Sequence, residues 1–533
     1  MKPIYSFLLS AFLLCTIHVN AQITISGAAP AIFDGTTYTT FTGTGGAFAA
    51  LNGVAAWAGK TIVLTVTDNI TTEDGNNSLN QPATSTWTSL TIRPSVASQR
   101  TIRGNVTNGL IRFNGADNVT IDGRFGGTGK YLRFLNSNTS NPTFTFLNDA
   151  TNNTITYSTI ESGTSIAQVG AIFFSSSTGT LGNSNNTISY CDIREKTIGG
   201  TVYPLCLIVS NGSTTAQNSS NIIDHCNLFN CYQNGNPGIS VYLQSGTTAW
   251  TISNNSFYQT GTRTTTIDSR LISIYVNNSA GNGFQITGNF IGGTAPLCGG
   301  TAMTLTTTTT NSTGVANEIN GIFMYATGTA TPSTIQNNTI KNISLTSTAR
   351  ELLIFSNPEF SFIGICAFDG SYIIDGNTIG AETGIGSISV AFNPDYNFFY
   401  TSLTSFVDGM QLAPTGTLTV TNNKVGAISI TGNNNSAQIL YFRGALLVGN
   451  PSAPVTFSGN LFGSGLTANS IQQQNTGTKI ANFLGLITAT TNTAILNILN
   501  NTVRNFNNMS ASNNYMIAFN FNGTCQLNAS GNI

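Results

Sequence analysis

The side chains best suited to chemistry crowd into two neighbouring stretches of the chain. Asp192, Arg194, Glu195 and Lys196 nearly adjoin, and Asp224 with His225 follows a little further on. Two carboxyl groups placed across a glycosidic bond are the minimum for hydrolysis, one as acid and the other as base or nucleophile. Asp192 and Asp224 are candidates for that pair, with His225 as a proton carrier near neutral pH and Arg194 as the adjoining cation. The plainer alternative is a set of solvated turn residues, with Glu161 and Arg194 as a surface ion pair worth at most about 1 kcal/mol. A second candidate is the aromatic run that contains Tyr396, Phe398, Phe399 and Tyr400. Flat rings there would meet sugar faces, with nearby Asn and Thr binding hydroxyls; otherwise they pack against the protein's own flank. The sequence shows no acidic calcium cluster and no close Cys-x-x-Cys spacing, so neither a metal nor a cofactor is expected.

A repeat must position these residues. The template apolar-x-x-[Asn/Cys/Ser]-x-apolar begins at Ile155, Ile188, Ile223, Ile252, Ile286, Ile335, Ile374, Val420, Phe457 and Ile498. Between these matches lie runs rich in β-branched and aromatic residues, such as Ile239-Ser-Val-Tyr-Leu243, Ile272-Ser-Ile-Tyr-Val276 and Phe483-Leu-Gly-Leu-Ile487. Each period thus carries at least two strands, with room for a short third. Short strands at a long period imply a coil whose turns stack in parallel, about 4.8 Å apart. Asn255, Asn289, Asn338, Asn377, Asn423, Asn460 and Asn501 share one slot of the template. An asparagine tolerates the backbone of a corner, and stacked amides can bond as a ladder. Cys191 and Cys226 hold that slot in adjacent turns, as a thiol stack or a strained disulfide.

Composition agrees. Only 7% of the 533 residues are charged and the net charge is −1, against roughly 25% charged in ordinary soluble domains. Phosphate neutralisation needs a basic surface, so nucleic-acid binding is excluded. Met1-Lys2, the apolar run 4–17 and Val19-Asn20-Ala21 read as an export signal (1–21), with Gln22 as the first mature residue. No later run has the roughly 18 apolar residues of a membrane span, so the expected location is secreted, extracellular or cell-surface. Residues 46–59 form the one convincing helix, with Thr44 as N-cap and Gly59 as stop; it would cap the open end of the stack as part of a segment 22–60.

The repeat over 61–533 resembles the right-handed parallel β-helix superfamily to which pectate lyases belong. The resemblance implies an all-β solenoid, continuing past residue 533, and by itself implies no activity. Ala47-Phe-Ala-Ala-Leu-Asn52, Leu90-Thr-Ile-Arg-Pro94 and 110–123 look like the start of secreted adhesin-like β-helix proteins exported by type IX secretion. The catalytic signatures of polygalacturonases are absent. The expected function is therefore a non-catalytic, adhesin-like scaffold whose loops bind an extracellular polysaccharide or cell-surface glycan. The alternative is a polysaccharide lyase or glycoside hydrolase on the same fold. Binding of ice by outward threonines would need them in register over many turns, against which the uneven period speaks.

Overall fold

A computed structural model describes residues 22–27, 33–307, 315–348, 360–393, 403–432, 438–475, 481–490, 494–510 and 515–533. The expected export signal lies outside the described residues, as do Tyr396, Phe398, Phe399 and Tyr400.

The chain is a parallel β-helix. Among the described residues, sheets of 16, 13 and 13 strands run along it, and from Thr61 onward each takes its strands from successive turns in order. Parallel stacking begins with Thr61–Val66 in the first sheet. All ten template starts fall in one register column there, from Ile155 opposite Ile188 to Phe457 opposite Ile498. The closing apolar residue of each template forms a second column, in the second sheet, from Ile160 opposite Ile193 to Phe462 opposite Val503. Most of both columns is fully buried in one continuous core. Alternation along each strand sends one residue in and the next out. Thr91, Thr120, Thr154 and Thr187 consequently share one outward column of the first sheet, which Thr251, Thr334, Thr419 and Thr456 continue. The uneven period does not disturb this register.

The extra residues go into a fourth sheet. Among the described residues it has seven strands, beginning with Arg263–Thr265 and continuing through Met303–Thr307, Ile343–Thr348 and Ile388–Asn393. Residues 304–307, part of the extra length between the template matches at Ile286 and Ile335, are therefore strand. The third-sheet strands lengthen in step, from Cys206–Ser210 to Ser269–Asn278 and Gln438–Gly449. Where a long strand bends, Gly321, Gly364, Gly409, Gly444 and Gly485 stack, each falling at a gap in the pairing register. A Cβ at Gly364 would sit 2.7 Å from the Gly409 carbonyl oxygen and 2.7 Å from Ile379 Cδ1. The bend brings the wall too close to the second-sheet side chains for any larger residue.

The corner between the first and second sheets corrects one expectation. The left-handed residue is the one before the ladder slot: Asn254, Asn337, Asn422 and Asn500 have φ of 55–57°. The ladder asparagines are inside and bond upward, Asn338 Nδ2 to Asn377 Oδ1 at 2.9 Å and Asn377 Nδ2 to Asn423 Oδ1 at 2.8 Å. Each amide also donates to a carbonyl of the turn below, as Asn338 does to Ile286 O at 2.8 Å. Cys191 and Cys226 hold the slot as free thiols, with the Cys191 N–H 3.4 Å from Cys226 Sγ.

The helix is also shorter than expected, Ala47–Asn52 rather than 46–59, and Gly46, not Thr44, precedes it without a side-chain cap. Residues beyond Gly53 are drawn elsewhere: Ala56 bridges Ser85, Trp57 N donates to Ser85 O, and Trp57 Nε1 donates to the Leu51 carbonyl at 3.3 Å. Tertiary pairing outweighs helix propensity there. Phe48, Leu51 and Trp57 are buried in the same core as the coil. The first strand, Ile23–Gly27, runs antiparallel to Thr61–Val66, and the short strand Thr37–Tyr38 pairs antiparallel with its other side to end the first sheet.

Candidate functional site

The chemistry-bearing residues line the outside of the corner between the first and second sheets, in the lower turns. The left-handed slot there is filled by Tyr157, Tyr190 and His225, with φ of 48°, 53° and 50°. A bulky residue in this region is strained; stacking offsets the strain. Tyr157 and Tyr190 lie 4.7 Å apart at an interplanar angle of 5°, and Tyr190 and His225 lie 4.9 Å apart at 17°. These separations match the rise from turn to turn. Arg124 closes the lower end, its guanidinium carbon 4.6 Å above the Tyr157 ring and its Nε and Nη2 donating to Asp122 at 2.9 and 2.8 Å. Ring faces inside the column are covered by one another, so the column presents edges to solvent. Its signal was already in the repeat, since Tyr157, Tyr190 and His225 are the same template position.

Asp224 lies on the outer face of the first sheet. Its Oδ1 accepts from Ser253 Oγ at 2.7 Å and Asn254 Nδ2 at 3.0 Å, and its Oδ2 lies 2.6 Å from His225 Nδ1. Partial burial pushes this carboxyl upward, but the bonds from Ser253, His225 and Asn254 outweigh it and hold the group below the usual range. Asp375 repeats the arrangement, accepting from Thr421 Oγ1 at 2.6 Å and Asn422 Nδ2 at 3.0 Å. Here an acid serves as the clamp between one turn and the next.

Asp192 lies on the second sheet and has different partners, Lys130 Nζ at 2.6 Å and Asn227 Nδ2 at 2.8 Å. The structure places Asp192 and Asp224 on separate sheets, each tied to its own set of groups. Arg194 is in register with Glu161, as the repeat requires, but the pair is not a surface one. Glu161 is fully buried, accepting from Arg133 Nη2 at 2.6 Å, Arg194 Nη2 at 2.7 Å and Thr197 N at 3.3 Å. The segment after Lys196, whose N–H donates to Val202 O, carries Thr197 over it. Arg133 and Lys130 carry no sequence signal; only the stacking brings them in. Glu195 is also buried, and among the described residues its Oε2 has no hydrogen-bond partner. Burial, with Asp192 and Glu195 nearby, raises the Tyr258 phenol above its ordinary range.

No family model matches the chain, and no curated protein matches it. Among solved structures, the chain is similar to the A-module of a mannuronan C-5 epimerase from Azotobacter vinelandii. The identity is 11% and the TM-score 0.21, over 87% of this chain and 91% of that one. The assignment as a parallel β-helix rests on the strand pairing of the chain itself.

Proposed function

We propose that the protein is an extracellular, non-catalytic β-helix scaffold, adhesin-like, that binds glycans or a neighbouring surface along its flank. The observation that carries this reading is the commitment of its polar groups. Asp224 and Glu161 clamp hydroxyls or cations of adjoining turns, Asp192 holds Lys130 from two turns below and Asn227 from the turn above, and Asp122 holds Arg124 of its own turn. Outward threonines of the first sheet, by contrast, keep register and offer hydroxyls to a ligand. The aromatic run 396–400 joins the strand Ile388–Asn393 to Leu403–Ala413 and stays a candidate for sugar contact. Ile222, Ile373, Asp224 and Asp375 interrupt the hydroxyl face, which disfavours ice as its partner. The unpartnered Glu195 oxygen near Tyr258 favours a second reading, a polysaccharide lyase or hydrolase using that pair.

Incubation of the protein with neutral and acidic polysaccharides, with calcium present or chelated, separates the two. Retention without released oligosaccharide is expected. Time-dependent product release that is lost in Glu195→Gln would overturn the scaffold reading.

A further inference from the structure

A cleft of about 530 Å³ opens below the aromatic column, between the outer face of the first sheet and the loop after Asp122. Its floor comes from three successive turns. Thr65 is in register with Arg93, and Thr91 with Thr120, which places Asp122 in the turn above Arg93. Its wall is the loop 124–127, where Phe125 is 43% exposed and bonds across to Thr128 through both backbone groups. Gly126 and Gly127 have φ of 59° and 85°, the conformation that lets this tight loop turn outward.

The charges in the cleft are unequally engaged. Arg124 is held by Asp122 and packs on Tyr157. Arg93 is exposed and, among the described residues, its side chain has neither an ion-pair nor a hydrogen-bond partner. The lining therefore has two arginines against one aspartate. A net positive charge is notable in a chain with only 19 basic residues in 533.

We infer that this cleft binds a sugar unit bearing a carboxylate or sulfate, with Arg93 as its anchor. The inference rests on the glycan-binding reading above and names its ligand class and place. A guanidinium presents a planar fork of donors that matches either anion in bidentate fashion. The hydroxyls of Thr65 and Thr91 and the remaining lone pairs of Asp122 suit a ligand rich in hydroxyls, and the open face of Phe125 suits the C–H face of a pyranose. Volume argues against an inorganic anion, since clefts of roughly 300–1,000 Å³ take organic ligands. A single unpaired cation argues against a nucleic acid, whose binding needs many.

Affinity electrophoresis of the whole protein through matched polymers tests this, with chelator present. The pairs are polygalacturonate against its methyl ester, and dextran sulfate against dextran. Retardation by at least one anionic member of a pair, and at least tenfold less by its neutral partner, is expected. Arg93→Gln should lose at least tenfold in apparent affinity, Arg93→Lys should keep part of it, and Phe125→Ala should lose several-fold. Because Arg93 is exposed, unchanged melting temperatures should accompany these losses. Which anionic polymer binds identifies carboxylate or sulfate as the group recognised. Equal binding of charged and neutral partners, or full affinity in Arg93→Gln, would overturn the cleft assignment while leaving the scaffold reading intact. Binding to none of the polymers would overturn both.

Discussion

The same corner is built in two ways along the molecule. In the lower turns Tyr157, Tyr190 and His225 stack outside it while Cys191 and Cys226 lie inside. In the upper turns the outside residue is Asn or Gly, and inside runs an amide ladder from Asn255 to Asn532. The backbone corner is alike in both, so it is set by the parallel register and not by one residue type. What differs is where the stabilisation lies. The lower corner draws on ring stacking and partly buried polar pairs such as Arg124–Asp122, whereas the upper corner draws on buried hydrogen bonds that link each turn to the next. The lower turns are thereby left with varied outer chemistry, and that is where both the acid cluster and the Arg93 cleft are found. The upper turns spend their extra residues on a fourth sheet and a column of glycines.

The contrast is sharpest inside the corner. Asn377→Ala should destabilise by about 3 kcal/mol, because it strands the buried backbone and side-chain donors of Asn338 and removes the Nδ2 bonds to Asn423 Oδ1 and Ile335 O. Cys226→Ala should cost about 1 kcal/mol, since only a weak sulfur contact and a small volume go. Urea midpoints of the two variants measure the difference, and equal losses would mean that the ladder adds nothing beyond filling space. Next in size, Gly364→Ala should cost about 2 kcal/mol through forced displacement of the neighbouring turn and Ile379. Hydrogen exchange should report the loss in the upper turns and spare those around Tyr190; uniform acceleration would show the coil unfolding as one unit.

The smallest effect concerns pH. The Asp224 carboxyl is depressed in the folded state. Its contribution is therefore present above its unfolded value near 3.8 and disappears as pH falls through the lower folded value. The gap in melting temperature between the parent and Asp224→Asn should be a few degrees at pH 7 and should close below about pH 4. Glu73, near the helix, behaves oppositely. Burial raises it despite bonds from Thr42 and Phe41, so its contribution is present below 4.5 and is lost as pH rises through the raised value.

The repeat made the coil legible from the residues alone. A column such as Ile155, Ile188 and Ile223 has to be buried at every turn, so its spacing carries the architecture directly. The aromatic column was legible by the same logic, since it occupies one template slot. The acid cluster was legible only as a set of residue types. Asp192 and Asp224 hold nearby places in successive templates, yet the corner sends them to separate sheets. Glu161 appeared solvated until Arg133 and Thr197, distant in sequence, closed over it. The sequence by itself determined the repeat, the inward columns and the shortage of charge, because burial and periodicity act within one turn. Tertiary structure decided which acids are clamped, where the fourth sheet begins and that Arg93 faces an open cleft. Those outcomes depend on which residues of different turns come opposite one another, and an uneven period leaves that to strand pairing.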